Sequence, residues 1–108
     1  MGKRRIGGLK IILLKIHQTQ QSEFISLCDS ELIGKIFEGG ETCLEVRKSF
    51  YDGHKLDEQE FEKNLKRASS LNIVGEESIK FVLKKKLISN KDIKKIQNIP
   101  FAILVIFT

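Results

Sequence analysis

Residues 56–86 read LDEQEFEKNLKRASSLNIVGEESIKFVLKKK, and the elements in this stretch decide what the rest of the chain packs against. Asp57 and Glu60 have the spacing of a capping box, in which Asp57 accepts hydrogen bonds from the first helical N–H groups and Glu60 reaches back. Acidic residues in the first turn and basic residues near the end suit the two ends of the helix dipole. The pattern predicts a helix that begins at Asp57 and ends around Asn72.

A second helix is predicted from Gly75 to Lys86, with Glu76 and Glu77 in its first turn. Two helices joined by a short turn resemble a helix–turn–helix, whose second helix reads bases with its first residues. Glu76 and Glu77 stand at that place here, and their carboxylates would repel DNA phosphates. Readout of DNA is therefore disfavoured.

The segments outside this stretch predict the strands. Leu9–Ile16 is rich in Ile and Leu, which is typical of a central strand, and it forms a hairpin with the loosely alternating Glu23–Cys28. Thr42–Lys48 alternates and predicts a third strand. Phe101–Phe107 is wholly apolar, so it is expected inside the sheet beside Leu9–Ile16, because such a strand would aggregate at an exposed edge.

A short helix is predicted over Glu31–Phe37, with Asp29 or Ser30 as its cap and Gly39-Gly40 at its end. Together these elements predict an α+β fold: a mostly antiparallel sheet of about four strands, with two main helices and one or two short ones.

Length and composition support one domain, because 108 residues are too few for two cores. We expect residues 1–8 to form a basic N-terminal tail and residues 9–108 to form a single α+β domain. Apolar runs stay well below the ~20 residues of a membrane span, so no membrane association is expected. Two cysteines are too few for the disulfide framework of a small secreted domain, so the expected compartment is the cytoplasm.

Basic residues are concentrated at both ends of the chain. Residues 1–16 contain 5 basic and no acidic residues, and residues 80–108 contain 7 lysines and one aspartate. The middle, residues 17–79, contains 7 basic and 13 acidic residues. If the fold brings the ends together, one side of the surface becomes strongly positive.

No cofactor and no metal are expected. The soft metal ligands are His17, Cys28, Cys43 and His54, and the sequence has no short-loop pair such as C-x-x-C to pre-position two of them. Nucleophilic catalysis by Cys28 would need a nearby base and an orienting group, which sequence spacing neither requires nor excludes. An enzyme with a reactive Cys28 thiol therefore stays as a minority alternative.

The second helix carries the most informative surface. On a helical wheel Phe81 lies between Lys84 and Lys85, and an exposed ring flanked by lysines can stack on an unpaired base while the ammonium groups attract phosphates. Alternatively, Phe81 packs against a neighbouring strand and the lysines are only solvated. The residues expected to bind RNA are Lys3, Arg4, Arg5, Lys80, Phe81, Lys84 and Lys85.

Four spaced blocks carry a family resemblance. They are Cys28-Asp29-Ser30-Glu31-Leu32-Ile33-Gly34-Lys35; Leu44-x-Val46 followed by Phe50-Tyr51-x-Gly53; Ala68 followed by Asn72-x-Val74-Gly75-Glu76-Glu77; and Ile99-Pro100-x-Ala102. With these blocks the chain resembles, over roughly residues 9–102, the archaeal family known as domain of unknown function 424. The resemblance implies a small cytoplasmic α+β protein and supplies no established activity.

Members of that family often carry His after the proline and Gln after the alanine of the last block. Phe101 and Ile103 stand there in this chain, which argues against a polar catalytic role at that place. Most of the other block residues suit caps and turns. Lys35 and Tyr51 have no such explanation, so they are candidate contact residues.

The leading hypothesis is a non-enzymatic RNA- or ribosome-associated binding protein, related to translation, whose partner is structured RNA or the ribosome. The alternative is a protein–protein adaptor without nucleic-acid contact, which would dock through the acidic middle or through Phe50-Tyr51.

Overall fold

The computed structural model describes residues 10–106 of the chain. The strands are β1 (Ile12–Gln18), β2 (Glu23–Asp29), β3 (Ile36–Gly39), β4 (Thr42–Glu45), β5 (His54–Lys55), β6 (Ala68–Val74), β7 (Lys94–Ile96) and β8 (Ile99–Val105). The helices are α1 (Lys48–Tyr51), α2 (Glu58–Leu65) and α3 (Glu76–Lys84).

The main sheet is mixed and has six strands in the order β5-β1-β2-β6-β8-β7, while β3 and β4 form a separate two-stranded sheet. The β1–β2 hairpin is antiparallel, as its sequence predicted. β2 and β6 run parallel at the centre, and the long crossover between them contains α2. The expectation of about four mostly antiparallel strands is therefore wrong.

The predicted helix from Asp57 to Asn72 is too long. Asp57 does cap α2, accepting hydrogen bonds from the backbone N–H groups of Gln59 and Glu60, but α2 ends at Leu65 and β6 follows. Leu71 and Ile73, both 0% exposed, alternate with more exposed neighbours, as in a strand. The β6 backbone completes the ladders with β2 and β8.

The predicted helix over Glu31–Phe37 is also wrong. A single 3-10 turn at Ser30–Leu32 is followed by β3, which pairs with β4 across the Gly39-Gly40 turn. The carboxylate of Asp29, expected to cap this helix, instead binds the start of α3. Without that cap, the segment extends into a hairpin.

β8 lies inside the main sheet, but its neighbours are β6 and β7 rather than β1. The predicted pairing of Phe101–Phe107 with the first strand is therefore wrong. Its apolar composition indicated an interior strand, whereas the order of strands depends on contacts between distant segments.

The main sheet is covered by helices on one face and partly by the β3–β4 hairpin on the other, where Ile103 and Val105 of β8 are exposed. The helix-side core contains Phe61, Ile79 and Val82 of the helices, packed on sheet residues that include Leu14, Ile25, Leu27, Leu71 and Ile73. The hairpin-side core consists of Cys28, Leu32, Val46, Tyr51 and Val74, with Phe37 and Leu44 of the β3–β4 hairpin packed against it. Together these layers hold α3 rigidly beside β8.

Candidate nucleic-acid interface

α3 is held in place by a carboxylate from the sheet. Asp29, at the end of β2, accepts hydrogen bonds from the backbone N–H of Glu77 at 3.0 Å, and from the backbone N–H and hydroxyl of Ser78 at 2.9 and 2.7 Å. The two backbone N–H groups are orphan donors of the first helical turn. A side chain 48 residues upstream of Glu77 therefore does the work of a local N-cap.

Gly75 makes this cap possible. Its φ of 112° lies in a region that side-chain-bearing residues avoid, and a Cβ atom at Gly75 would lie 2.3 Å from Cγ of Asp29. Glycine thus lets the carboxylate reach the helix start. The direction in which α3 leaves the sheet follows from this contact.

The predicted ring-and-lysine surface is altered by α2. Phe81 is half-buried, and its ring meets the edge of the Phe61 ring at a centroid distance of 5.2 Å and an interplanar angle of 72°. The Lys85 ammonium lies 5.3 Å from the centroid of the Phe81 ring. Phe81 therefore packs within the protein, and stacking on a base stays a prediction for its remaining exposed edge.

Lys85 is already paired. Its ammonium donates to the carboxylates of Glu58 and Glu62, both on α2, and these hydrogen bonds raise the pKa of Lys85. The same residues border a groove of about 440 Å³ between α2 and α3. Two carboxylates beside Lys85 reduce the attraction of this groove for phosphate.

Four of the remaining lysines define a second surface, which we name the basic edge: Lys80, Lys84, Lys91 and Lys95. Lys84 also borders the groove between α2 and α3. Lys80 and Lys84 are one helical turn apart on α3 and both are exposed. Lys80 lies 3.7 Å from Glu77, a pair that contributes little because the Lys80 side chain is 70% exposed. Lys95, on β7, lines the same cleft as Lys80.

This cleft lies between α3 and β7 and has a volume of about 280 Å³. Its apolar lining residues are buried or half-buried, and its polar lining residues are exposed. The lining residues are Glu76, Ile79, Lys80, Asn90, Ile93, Lys95, Asn98 and Pro100.

Two local motifs position the asparagines of the cleft. Ser89 and Asp92 form a capping box around the 3-10 turn that begins at Asn90. Asn98 belongs to the two-residue connection between β7 and β8, where Gln97 and Asn98 have φ values of 50° and 67°. Such positive values are typical of tight hairpins and are tolerated well by asparagine. Both turns are therefore defined by their sequences.

The predicted tail residues Lys3, Arg4 and Arg5 lie outside the described residues. Their convergence with the basic edge stays a prediction. Lys35 is exposed beside β3, and its contact role is likewise untested. Tyr51 is only 9% exposed, with burial raising its pKa to about 12. Little of its surface is open to a partner, and its role as a contact residue stays a prediction.

Cys28 has the wrong environment for a nucleophile. It is 0% exposed, donates its S–H to the Asp29 carbonyl, and burial together with the Asp29 charge raises its pKa to about 12. A thiolate is therefore scarce at neutral pH.

His17 is stacked between the rings of Phe24 and Phe50, at centroid distances of 4.5 and 4.6 Å.

Sequence reasoning missed Asn90, Ile93, Asn98 and Pro100 as a group. The lysine count of residues 80–108 located the positive charge, but nothing local indicated that the turn after α3 and the β7–β8 hairpin close on one cleft. Asn98 was the one local signal, because asparagine tolerates the positive φ values that tight hairpin turns require.

The described residues define a small domain built on one mixed sheet, with a basic edge and with no group of three metal-ligating side chains between residues 10 and 106. Each helix in this range lacks the length and apolar character needed to cross a membrane. The chain belongs to the family described as "Protein of unknown function (DUF424)", whose model matches residues 17–107. The resemblance noted from the sequence is confirmed.

A solved structure has a similar fold: the crystal structure of an uncharacterized conserved protein from Methanopyrus kandleri. It is 22% identical to this chain, with a TM-score of 0.72, and the match covers 86% of this chain and 89% of that chain. At this identity the likeness shows the fold alone. Comparison with curated proteins finds no match.

Proposed function

We propose that this protein binds structured RNA without catalysing a reaction, as an RNA- or ribosome-associated protein of the cytoplasm. One observation carries the proposal. Lys80 of α3 and Lys95 of β7 are distant in the sequence, yet both line the same cleft. Lys84 lies one turn further along α3. Clustered ammonium groups attract a phosphate backbone and release its counterions.

The position of the charge favours RNA over duplex DNA. Glu76 and Glu77 occupy the first turn of α3, where a recognition helix would meet the bases of a major groove. The basic edge lies further along α3 and on β7, beside a cleft rather than on a protruding helix. Unpaired or irregular RNA presents both phosphates and accessible bases to such a surface.

The adaptor alternative has less support. Phe50 and Tyr51, one of the two docking surfaces expected for it, pack inward: their rings meet edge-on at 4.8 Å, and Phe50 also stacks on His17 at 4.6 Å. A partner would therefore have to disturb the hairpin-side core in order to use them.

Binding of ribosomal RNA measured by filter retention at several salt concentrations tests the proposal. The variant Lys80→Glu/Lys84→Glu/Lys95→Glu should bind at least about tenfold more weakly, with a salt slope less steep by about 0.7–0.9 for each phosphate that the variant no longer neutralises. The matched control is Lys48→Glu/Lys55→Glu/Lys63→Glu, which changes the same amount of charge at exposed residues away from the cleft. Equal weakening by both variants, or no RNA binding by the natural sequence, would refute the proposal.

A further inference from the structure

The cleft between α3 and β7 combines an apolar floor with a few polar groups at its rim. Ile79, Ile93 and Pro100 provide the floor, and the volume of about 280 Å³ is small. Binding sites for small planar molecules commonly have this composition, in which apolar contacts hold the ligand and polar groups fix its orientation. The cleft is therefore suited to one ring system rather than to a protein segment.

The amide side chains at the rim are available. Asn90 and Asn98 are exposed, and neither side chain is hydrogen-bonded to another residue within 10–106. Each amide offers an N–H donor and a carbonyl acceptor, a pair that matches the edge of a nucleobase. Their positions are set by the capping box at Ser89 and by the tight β7–β8 hairpin.

Glu76 adds a preference among bases. Its carboxylate lines the same cleft and, when ionised, can only accept hydrogen bonds. The amino groups of adenine, cytosine and guanine are donors that a carboxylate can bind, whereas uracil has no amino group and presents carbonyl oxygens along the same edge. A carboxylate facing those oxygens would be repelled.

Lys80 and Lys95 line the cleft from different elements, Lys80 from α3 and Lys95 from β7. A nucleotide whose base enters the cleft leaves its two flanking phosphates outside, within reach of cations on either side. Free mononucleotide has phosphate on one side only. Two lysines therefore favour a base within a strand.

Resting on the proposed function, we infer that this cleft binds one unpaired, amino-bearing base (adenine, cytosine or guanine) of an RNA strand. Ile79, Ile93 and Pro100 contact the faces of the base, Glu76 accepts from its amino group, and Asn90 or Asn98 donates to the adjacent ring nitrogen. Lys80 and Lys95 bind the flanking phosphates.

Fluorescence anisotropy with short labelled oligo(A), oligo(C) and oligo(U), and competition by AMP, tests this inference. Oligo(A) and oligo(C) should bind about fivefold or more tightly than oligo(U), and oligo(A) more tightly than AMP. Glu76→Gln supplies an amide donor to uracil and should reduce this discrimination. Asn90→Ala/Asn98→Gly should weaken oligo(A) binding by about fivefold or more, since glycine keeps the positive φ of residue 98.

Gln20→Ala removes an exposed amide from the β1–β2 turn and serves as the control. Thermal unfolding must show that each variant folds. Equal binding of all three oligonucleotides, or cleft variants that bind like the control, would overturn the cleft assignment. Neither result would overturn the proposal that the basic edge binds ribosomal RNA. Tighter binding of AMP than of oligo(A) would mean a mononucleotide site and would equally overturn it. Failure to bind any RNA would remove both proposals.

Discussion

Replacing Asp29 by alanine tests how α3 is fixed to the sheet. Asp29 is 5% exposed and accepts three hydrogen bonds from Glu77 and Ser78, of which Ser78 is 0% exposed. Alanine would leave the Ser78 N–H and hydroxyl buried without an acceptor. Each buried unsatisfied donor costs about 1–3 kcal/mol, and loss of a helix cap alone costs about 1 kcal/mol. Because the Glu77 N–H can be reached by water, we expect Asp29→Ala to lower the free energy of unfolding by about 3 kcal/mol.

Urea denaturation followed by circular dichroism measures this change. Asp57→Ala is the matched control, because Asp57 caps α2 through two hydrogen bonds at an exposed position, and its loss should cost only about 1 kcal/mol. Asp29→Asn keeps one carbonyl acceptor and should fall between the two. The reasoning is refuted if Asp29→Ala destabilises the protein no more than Asp57→Ala does.

Three further predictions concern other buried groups. Gly75→Ala should destabilise the protein by about 3 kcal/mol in the same assay, because the new Cβ meets Asp29 and the φ of 112° is strained for alanine; an effect below about 1 kcal/mol would contradict this. In the native protein iodoacetamide should modify exposed Cys43 and spare Cys28, whose pKa is raised to about 12 by burial. Mass spectrometry measures the labelling of each cysteine, and rapid labelling of Cys28 would contradict this prediction. Burial lowers the pKa of His17 below 6.5, so near this pH the folded state binds fewer protons than the unfolded state. The free energy of unfolding should therefore fall as the pH drops through 6.5. An NMR titration of His17 with a midpoint above 6.5 would argue against this.

The residues at which α2 and α3 start could be predicted from the sequence. Asp57 begins α2 and Gly75 precedes α3, as predicted, because caps and glycine breaks act within a few residues. Glu60 does not complete the expected capping box, since its carboxylate binds His54 at 2.6 Å. Local chemistry thus indicated where these helices start, but not which neighbours their side chains meet.

The strand β6 was missed although its pattern was visible. Leu71 and Ile73 alternate with Ser70 and Asn72, but the segment follows a well-capped helix without glycine or proline between them. Its pairing with β2 requires the chain to return from β5 at one edge of the sheet, past β1 and β2. No short-range pattern specifies such a parallel neighbour.

The candidate site was only partly predictable for the same reason. The helical wheel placed Phe81 beside Lys85 correctly, and their contact at 5.3 Å agrees with it. Glu58 and Glu62 of α2 neutralise Lys85, and Phe61 covers part of Phe81. These contacts join residues about 20 or more positions apart, so a helical wheel of α3 alone does not show them. The exposed lysines that remain lie where α3, β7 and their turns meet.

β7 also forms one boundary of the main sheet, and at the other boundary stands β5, which has two residues. An outermost strand exposes unpaired backbone groups that can recruit a strand from another molecule. Lys94 and Lys95 make such recruitment unfavourable, since a second copy would have to bring its own lysines alongside. Replacing them with valine would therefore remove a safeguard against self-association as well as positive charge, whereas glutamate preserves the safeguard.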